Sequence, residues 1–254
     1  MNLSIKSKLI IILLIGCISV VISGALGLVG MKSSDKEIET IYNENLINVV
    51  QITHIMSLMR DNRIQLLLAL QHDPKNPDLV KRHDHPLTMH TDQVMKNIEE
   101  ITKTWEEYLK ARQTPEEKKV TDDFTEKRGK FVKEGLLPTR EALLAGNFDQ
   151  AGLLTLTKVN PLFAPANEVA QKMLESEKQQ AKQSYVDAED HYKTTMAAVT
   201  AAIIISILVS VILGFMVIRS ISTAAESLIK ASGAMANGDL TQRVRLASKD
   251  ELGT

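Results

Sequence analysis

The chain has 254 residues, a formal net charge of −1 at pH 7 and a single cysteine. Without an excess of basic residues the composition gives no support for nucleic-acid binding, and one cysteine excludes an intramolecular disulfide framework. Two apolar stretches without a charged residue, one near the N-terminus and one in the last quarter of the chain, set its organisation.

The first apolar stretch covers residues 9–29 and follows a short basic segment, residues 1–8, with Lys6 and Lys8. A hydrocarbon core about 30 Å thick needs about 20 apolar helical residues, so this length predicts a transmembrane helix. A cleavable signal peptide is the alternative, but its apolar run is usually ~7–15 residues, and no clean Ala-x-Ala site follows. The two lysines predict a cytoplasmic N-terminus by the positive-inside rule.

Residues 30–195 separate the two apolar stretches, and their composition favours helix. The first part carries residues at alternating steps of four and three, a pattern typical of a helix seam. The positions are Ile38, Tyr42, Asn45, Val49, Ile52, Met56, Met59, Arg63, Leu66 and Leu70. This pattern predicts one helix from Met31 to about Gln71, with Asn45 and Arg63 as polar interruptions.

Prolines and capping signals predict the next two helices. The segment 72–77 ends the first helix, and Asn76 is expected to cap the following one with Pro77 in its first turn. Pro86 interrupts again, after which apolar residues recur at four-three spacing through residues 94–108. Residues 114–117 read as a capping box that starts a third helix.

The third helix is expected to kink at Pro138 and to end at Gly146, since glycine readily adopts positive φ. Pro161 and Pro165 should disturb the first turns of the fourth helix. No helix breaker separates that helix from the second apolar stretch, residues 196–218. We therefore predict an all-α fold, an antiparallel four-helix bundle over residues 30–195 standing on two transmembrane helices.

Residues 219–254 follow the second apolar stretch and contain three short motifs. Arg219-Ser-Ile-Ser, Asn237-Gly-Asp-Leu-Thr and Lys249-Asp-Glu-Leu-Gly resemble a HAMP linker, the relay of bacterial transmembrane receptors. The proline that usually follows the first of these motifs is absent here. The resemblance implies a partial HAMP coiled coil after the second transmembrane helix.

The order of basic tail, span, helical exterior, span and HAMP resembles a methyl-accepting chemotaxis receptor of the aspartate and serine receptor type. The sequence Arg60-Asp-Asn-Arg63 followed by Leu66-Leu-Leu-Ala-Leu70 is similar to the first exterior helix of such receptors. The resemblance implies a homodimer in the bacterial inner membrane with a periplasmic sensory domain. It also implies a small carboxylate or amino-acid ligand, and a kinase and adaptor controlled by a cytoplasmic part beyond Thr254.

Two other functions share these features. A sensor histidine kinase or a nucleotide-cyclase receptor uses the same input half with another output, and HAMP does not distinguish them. A purely structural membrane-anchored bundle is a third hypothesis. No grouping of residues typical of a catalytic site stands out, so the prediction is a protein that is not an enzyme.

Four residues are candidates for ligand binding. The resemblance implies that Arg63 holds a ligand carboxylate, with Arg60 one turn away, and that Thr157 and Asn160 from the fourth helix form the opposite wall; Thr155 is a weaker candidate. The alternatives are a structural ion pair of the arginines with Asp61 or Glu44, and ordinary helix capping by Thr157 and Asn160.

A group of four histidines lies within 19 residues: His72, His83, His85 and His90. A metal site needs three or four converging ligands. A solvated loop explains the same residues, and the prediction is no metal ion and no cofactor.

Overall fold

The computed structural model describes residues 4–110 and 114–237, apart from the side chain of Glu44. All regular secondary structure in these ranges is helical, which confirms the predicted all-α class. The chain divides into two compact units. The bundle unit is Glu37–Val186, and the terminal unit comprises, among the described residues, 4–36 and 187–237.

Long helices joined by short turns make up the described chain. In order they are α1 (Ile5–Thr40), a π-helical turn (Ile41–Leu46), α2 (Ile47–Ala69), a 3-10 turn (Leu70–His72), α3 (Pro77–Val80), α4 (Thr88–Tyr108), α5 (Pro115–Lys130), a π-helical turn (Phe131–Leu136), α6 (Leu137–Leu144), α7 (Phe148–Leu154), a π-helical turn (Thr155–Val159) and α8 (Asn160–Ala236). The four helices of the bundle are α2, α4, α5 with α6, and α7 with the first part of α8.

The predicted capping box is present at the start of α5. The Thr114 hydroxyl accepts a hydrogen bond from the Glu117 backbone N–H at 3.2 Å, and the Glu117 carboxylate accepts one from the Thr114 N–H at 2.7 Å. The expectation for Asn76 is wrong in one respect. Pro77 does lie in the first turn of α3, but the Asn76 side chain makes no capping hydrogen bond. The backbone of this short turn is closed by main-chain bonds instead.

Gly146 ends α6 as predicted, because this position requires a left-handed backbone. Its φ is +76°, the only positive φ among the described residues. The N–H of Asn147 then donates to the carbonyl of Ala142 at 2.8 Å, which pairs one of the carbonyls left over at the helix end. The chain reverses here and α7 begins at Phe148.

Two of the prolines follow π-helical turns closely. Pro138 lies just after Phe131–Leu136, and Pro161 just after Thr155–Val159. A proline cannot donate to the carbonyl four residues earlier, and its ring crowds that carbonyl, so one widened turn before it relieves both problems. The predicted disturbance at Pro138 and Pro161 is therefore present as a π turn, while Pro165 lies within α8.

The predicted seam faces the bundle core along α2, whereas its first two members, Ile38 and Tyr42, lie before α2 and are exposed. Ile52, Met56, Met59 and Leu66 are buried, and the polar Asn45 is buried with them. Across from the seam, α4 contributes Trp105 and Tyr108, and the third helix contributes its two phenylalanines, Phe124 and Phe131. Burial of apolar surface along the four helices of the bundle supplies the main driving force for folding of a unit without disulfides.

In the terminal unit the two apolar stretches lie in helices that are long and apolar enough to cross a membrane. The apolar windows have mean hydropathy 2.9 and 3.0, and 0% and 6% of their residues are buried. Helix α8 passes Lys193 without interruption and ends at Ala236. The HAMP motifs from Gly238 onward lie outside the described residues.

Candidate functional site

Arg63 of α2 reaches α8 across the bundle. Its Nε and Nη2 atoms donate to Oδ1 of Asn160 at 3.2 and 2.8 Å, and its guanidinium carbon lies 4.3 Å from the ring centroid of Phe163. One edge of the guanidinium is thus held by an amide oxygen and one face by an aromatic ring. The edge formed by Nη1 and the second N–H of Nη2 has no hydrogen-bond partner among the described residues. That edge can take a carboxylate through two parallel hydrogen bonds.

The hypothesis that Asp61 pairs with Arg63 is wrong. Asp61 is used by other residues: its Oδ2 accepts from Asn97 at 2.8 Å, and its Oδ1 accepts from Gln65 at 3.2 Å. The Glu44 side chain, the other acid considered, lies outside the described residues. Within the described chain no carboxylate forms an ion pair with Arg63, so its charge is available to an anion from solution.

Arg60 and Thr157 lie away from this pair. The Arg60 side chain is exposed, and no hydrogen bond joins it to Arg63. Thr157 is also exposed and donates its hydroxyl to the Leu153 carbonyl at 2.7 Å. Thr157 and Asn160 are inside the helical run that begins at Phe148, so the interpretation of both as helix caps is wrong. The structure brings together Arg63 and Asn160, two of the four predicted residues.

Thr155, the weaker candidate, is buried and donates its hydroxyl to the Ala151 carbonyl at 2.8 Å. Phe163 was missed by the sequence reasoning, since an aromatic residue on an apolar stripe carries no signal that it stacks on a charge. Its position three residues after Asn160, on the same helix face, is the one hint the sequence holds.

A second four-three stripe on α2 points away from the core. We call it the outer stripe: its members are exposed and lie at Val50, Thr53, Ser57, Arg60, Ile64 and Leu67. The exposed fractions of Val50, Ile64 and Leu67 are 60%, 51% and 49%. This stripe is not among the sequence predictions, although the four-three step counted from Val50 reaches each of its members.

The four histidines pack against one another, which the solvated-loop interpretation did not anticipate. The His72 and His83 rings are stacked with centroids 3.9 Å apart, and the His85 and His90 rings meet edge to face at 4.8 Å. His90 is 5% exposed. Burial, together with repulsion from the neighbouring imidazoles, lowers the pKa of His72 and of His90.

A buried carboxyl group lies elsewhere in the bundle unit. Glu177 of α8 is 6% exposed, and its Oε1 accepts hydrogen bonds from the Tyr108 hydroxyl at 2.9 Å and from Asn48 at 3.1 Å. Burial raises the pKa of Glu177 and is only partly offset by the two hydrogen bonds, and burial beside Glu177 raises the pKa of Tyr108. Ionisation of Glu177 in the folded chain therefore lowers the free energy of unfolding.

Glu177→Gln is expected to stabilise the bundle at neutral pH by on the order of 1 kcal/mol. Because the folded pKa of Glu177 lies above its unfolded value, the wild type gains stability as pH falls and loses it as pH rises through that interval. The glutamine amide keeps an accepting oxygen at this position and removes the contribution of Glu177 to the pH dependence of stability. Urea denaturation of the full chain in detergent, followed by circular dichroism at pH 5 and pH 8, measures both effects.

The matched control for this substitution is Glu175→Gln, two residues away on an exposed face. We expect it to change stability by less than about 0.5 kcal/mol at either pH. A Glu177→Gln variant that is less stable than wild type at pH 8 would show that the charge itself stabilises the fold.

Comparison with protein families gives one result for this chain. A family model described as "Tar ligand binding domain homologue" (TarH) matches residues 1–184. This range is more than half of the chain and contains α2 to α7, Arg63, Asn160 and the histidine cluster. Comparison with curated proteins and with solved structures gives no significant match.

Proposed function

This chain belongs to the family of Tar ligand binding domain homologues, and on that basis we propose that it is the input half of a bacterial transmembrane chemoreceptor for a small anion. The family's domain is a four-helix bundle that serves as the ligand-binding domain of chemotaxis receptors. It is periplasmic in membrane receptors, and the family is sensory and not enzymatic. The ligand class, the dimer and the relay described below are parts of the proposal.

The observation that carries the ligand class is the arrangement of Arg63. Its guanidinium is half-buried, positioned by Asn160 and Phe163, and not neutralised by a described carboxylate. Such a cation costs free energy in the empty bundle and gains a charge-assisted, bidentate pair when a carboxylate binds. We therefore propose an organic acid or an amino acid as the ligand, with Arg63 and Asn160 as contact residues.

Arg60 is proposed to lie near the interface of a homodimer. It lies in the outer stripe, whose four-three spacing and exposed Val50, Ile64 and Leu67 are typical of a helix that packs against a second copy. In a homodimer built on this stripe, Arg60 of each subunit would lie near the interface, one turn from Arg63. Thr157, exposed on the π turn before Asn160, is the remaining proposed ligand contact.

The proposed topology places residues 9–29 and 196–218 in the inner membrane and residues 30–195 in the periplasm. Residues 219–254 form the start of a HAMP linker that acts on a cytoplasmic kinase-control module through its adaptor. The uninterrupted helix α8 supports a mechanical relay, because ligand at Asn160 can bias a shift of about 1–2 Å along one helix. The ligand stabilises the helix arrangement that it binds better, so the fraction of receptors in that arrangement increases.

The proposal is tested by thermal unfolding of the full chain in detergent micelles against L-aspartate, L-serine, succinate, malate and citrate. Succinamide, which has the shape of succinate without its charges, is the matched control ligand. We expect at least one carboxylate to raise Tm in a concentration-dependent way while succinamide does not. If no carboxylate changes Tm and none binds by calorimetry, the anion-receptor proposal is wrong.

A further inference from the structure

Three imidazoles of the histidine cluster converge on one point at the end of the bundle unit where α2, α4 and their connection meet. His72 lies in the turn that ends α2, His85 in the connection, and His90 in the first turn of α4. One ring nitrogen from each of the three lies within 4.8 Å of the corresponding atoms of the other two. Side chains 18 residues apart in sequence thus present potential ligands to a common volume.

Hydrogen bonds on the far side of two rings determine which nitrogen faces that volume. His85 Nδ1 is 2.8 Å from Oδ1 of Asp84, and His90 Nδ1 is 2.8 Å from Oε1 of Gln65. The Gln65 amide is oriented by its other end, which donates to Asp61 at 3.2 Å. A carboxylate and an amide oxygen only accept, so both rings carry their proton on Nδ1 and expose the lone pair of Nε2.

The two exposed lone pairs face each other. The Nε2 atoms of His85 and His90 are 2.9 Å apart, a distance at which two acceptors repel unless a cation or a proton lies between them. Nε2 of His72 is buried and has no hydrogen-bond partner in the described chain. His83 stacks on His72 and covers that ring from one side. The Nε2 atoms of His85 and His90 and one ring nitrogen of His72 therefore lie around one common volume.

We propose that His72, His85 and His90 form a binding site for a divalent transition-metal ion of the zinc class, separate from the Arg63 site. Imidazole nitrogen is a preferred ligand of Zn²⁺, Ni²⁺ and Cu²⁺, whereas Mg²⁺ and Ca²⁺ take oxygen ligands. The second contacts to Asp84 and Gln65 have the form that metal-bound histidines commonly use to fix their tautomer. Three nitrogens leave the fourth tetrahedral position to water or to an outside ligand.

The site requires only small movements. Zn–N bonds of about 2.0–2.1 Å in a tetrahedral arrangement place neighbouring nitrogens about 3.4 Å apart. The pair at 2.9 Å would open slightly and His72 would approach, both by rotation of side chains at the edge of the bundle. The bound ion would tie the end of α2 to the start of α4. A chain of hydrogen bonds from His90 through Gln65 would also connect the ion to Asp61, which lies two residues before Arg63.

The test is calorimetric titration of ZnCl₂ into the full chain in detergent after removal of metals with EDTA. We expect one Zn²⁺ per chain. His85→Ala and His90→Ala are expected to weaken binding at least 100-fold, and Gln65→Ala, which removes a second contact, about 10-fold. His54→Ala is the matched control, because His54 lies on α2 outside the cluster and is paired with Glu100; its affinity should equal that of wild type.

A second measurement does not depend on any variant folding. Co²⁺ added to the wild-type chain should produce the intense visible absorption of a tetrahedral ion with nitrogen ligands, and Zn²⁺ should abolish it. The proposal is overturned if the wild type binds no Zn²⁺ and gives no such absorption. It is equally overturned if folded His85→Ala and His90→Ala variants bind Zn²⁺ with wild-type affinity.

Discussion

Arg63→Ala is expected to abolish the carboxylate-induced rise in Tm while leaving the bundle folded. The substitution removes the fork that would pair with the ligand and leaves the ligand carboxylate without a partner in a partly desolvated site. Truncating one partner of such a hydrogen-bonded charge pair costs about 2 kcal/mol or more, so the dissociation constant should rise at least about 30-fold. Calorimetry of the full chain with the best carboxylate from the panel measures it.

The fold should survive this substitution, because Arg63 contributes only two hydrogen bonds to one oxygen and one contact with a ring. We expect a loss of about 1–2 kcal/mol of stability in the ligand-free chain. Arg63→Lys keeps the charge without the planar fork, and we expect its affinity to lie between those of wild type and Arg63→Ala.

The matched control is Arg82→Ala, an exposed arginine in the connection before α4. It removes the same side chain from the same unit and should bind the carboxylate as wild type does. A folded Arg63→Ala protein with unchanged affinity would show that the site at Arg63 and Asn160 is wrongly assigned. It would not by itself decide whether the ligand is a carboxylate, which the panel tests separately.

Trp105→Ala is expected to lower the free energy of unfolding by about 3–5 kcal/mol. Trp105 is 3% exposed and is held on two sides, by the Tyr108 ring at 5.1 Å and the Phe124 ring at 4.7 Å. Its Nε1 donates to the Thr125 hydroxyl at 3.1 Å, so the polar atom is also paired. Alanine would leave a cavity among aromatic rings and remove the donor to the Thr125 hydroxyl, which keeps its own hydrogen bond to the Thr121 carbonyl.

Urea denaturation of the full chain in detergent, followed by circular dichroism, measures this loss. Tyr185→Ala is the matched control, because Tyr185 is an aromatic residue of the bundle unit that is 61% exposed. We expect it to change stability by less than about 0.5 kcal/mol. If Trp105→Ala costs no more than Tyr185→Ala, the aromatic cluster is not part of the stabilising core.

Helix boundaries were accessible from sequence because they depend on neighbours within one turn. The capping box at Thr114 and the left-handed glycine at position 146 are both present where local chemistry predicts them. Asn76 was the exception. A short polar side chain at a turn has several possible hydrogen-bond partners, and the turn at Asn76 is formed by main-chain hydrogen bonds without its side chain.

The candidate site was accessible only in part. Arg63 was identified because a charge on an apolar seam needs a partner. The family resemblance named Asn160 as a residue of the same site, but not as the side chain that holds Arg63. In the structure that partner is Asn160, 97 positions away, and not Asp61, two positions away. The Asp61 carboxylate lies on another face of α2, where it accepts hydrogen bonds from Asn97 and Gln65.

The amino-acid order alone was enough for the all-α class, the two stretches able to span a membrane and most helix ends. Periodicity, length and capping are local properties, so they can be read without knowing which segments meet. Three features required the folded bundle: which of two four-three stripes on α2 faces the core, which acceptor holds Arg63, and that His72, His85 and His90 point at one another. These outcomes depend on the rotational phase of each helix and on how a loop folds back. Both are set by packing between segments distant in sequence.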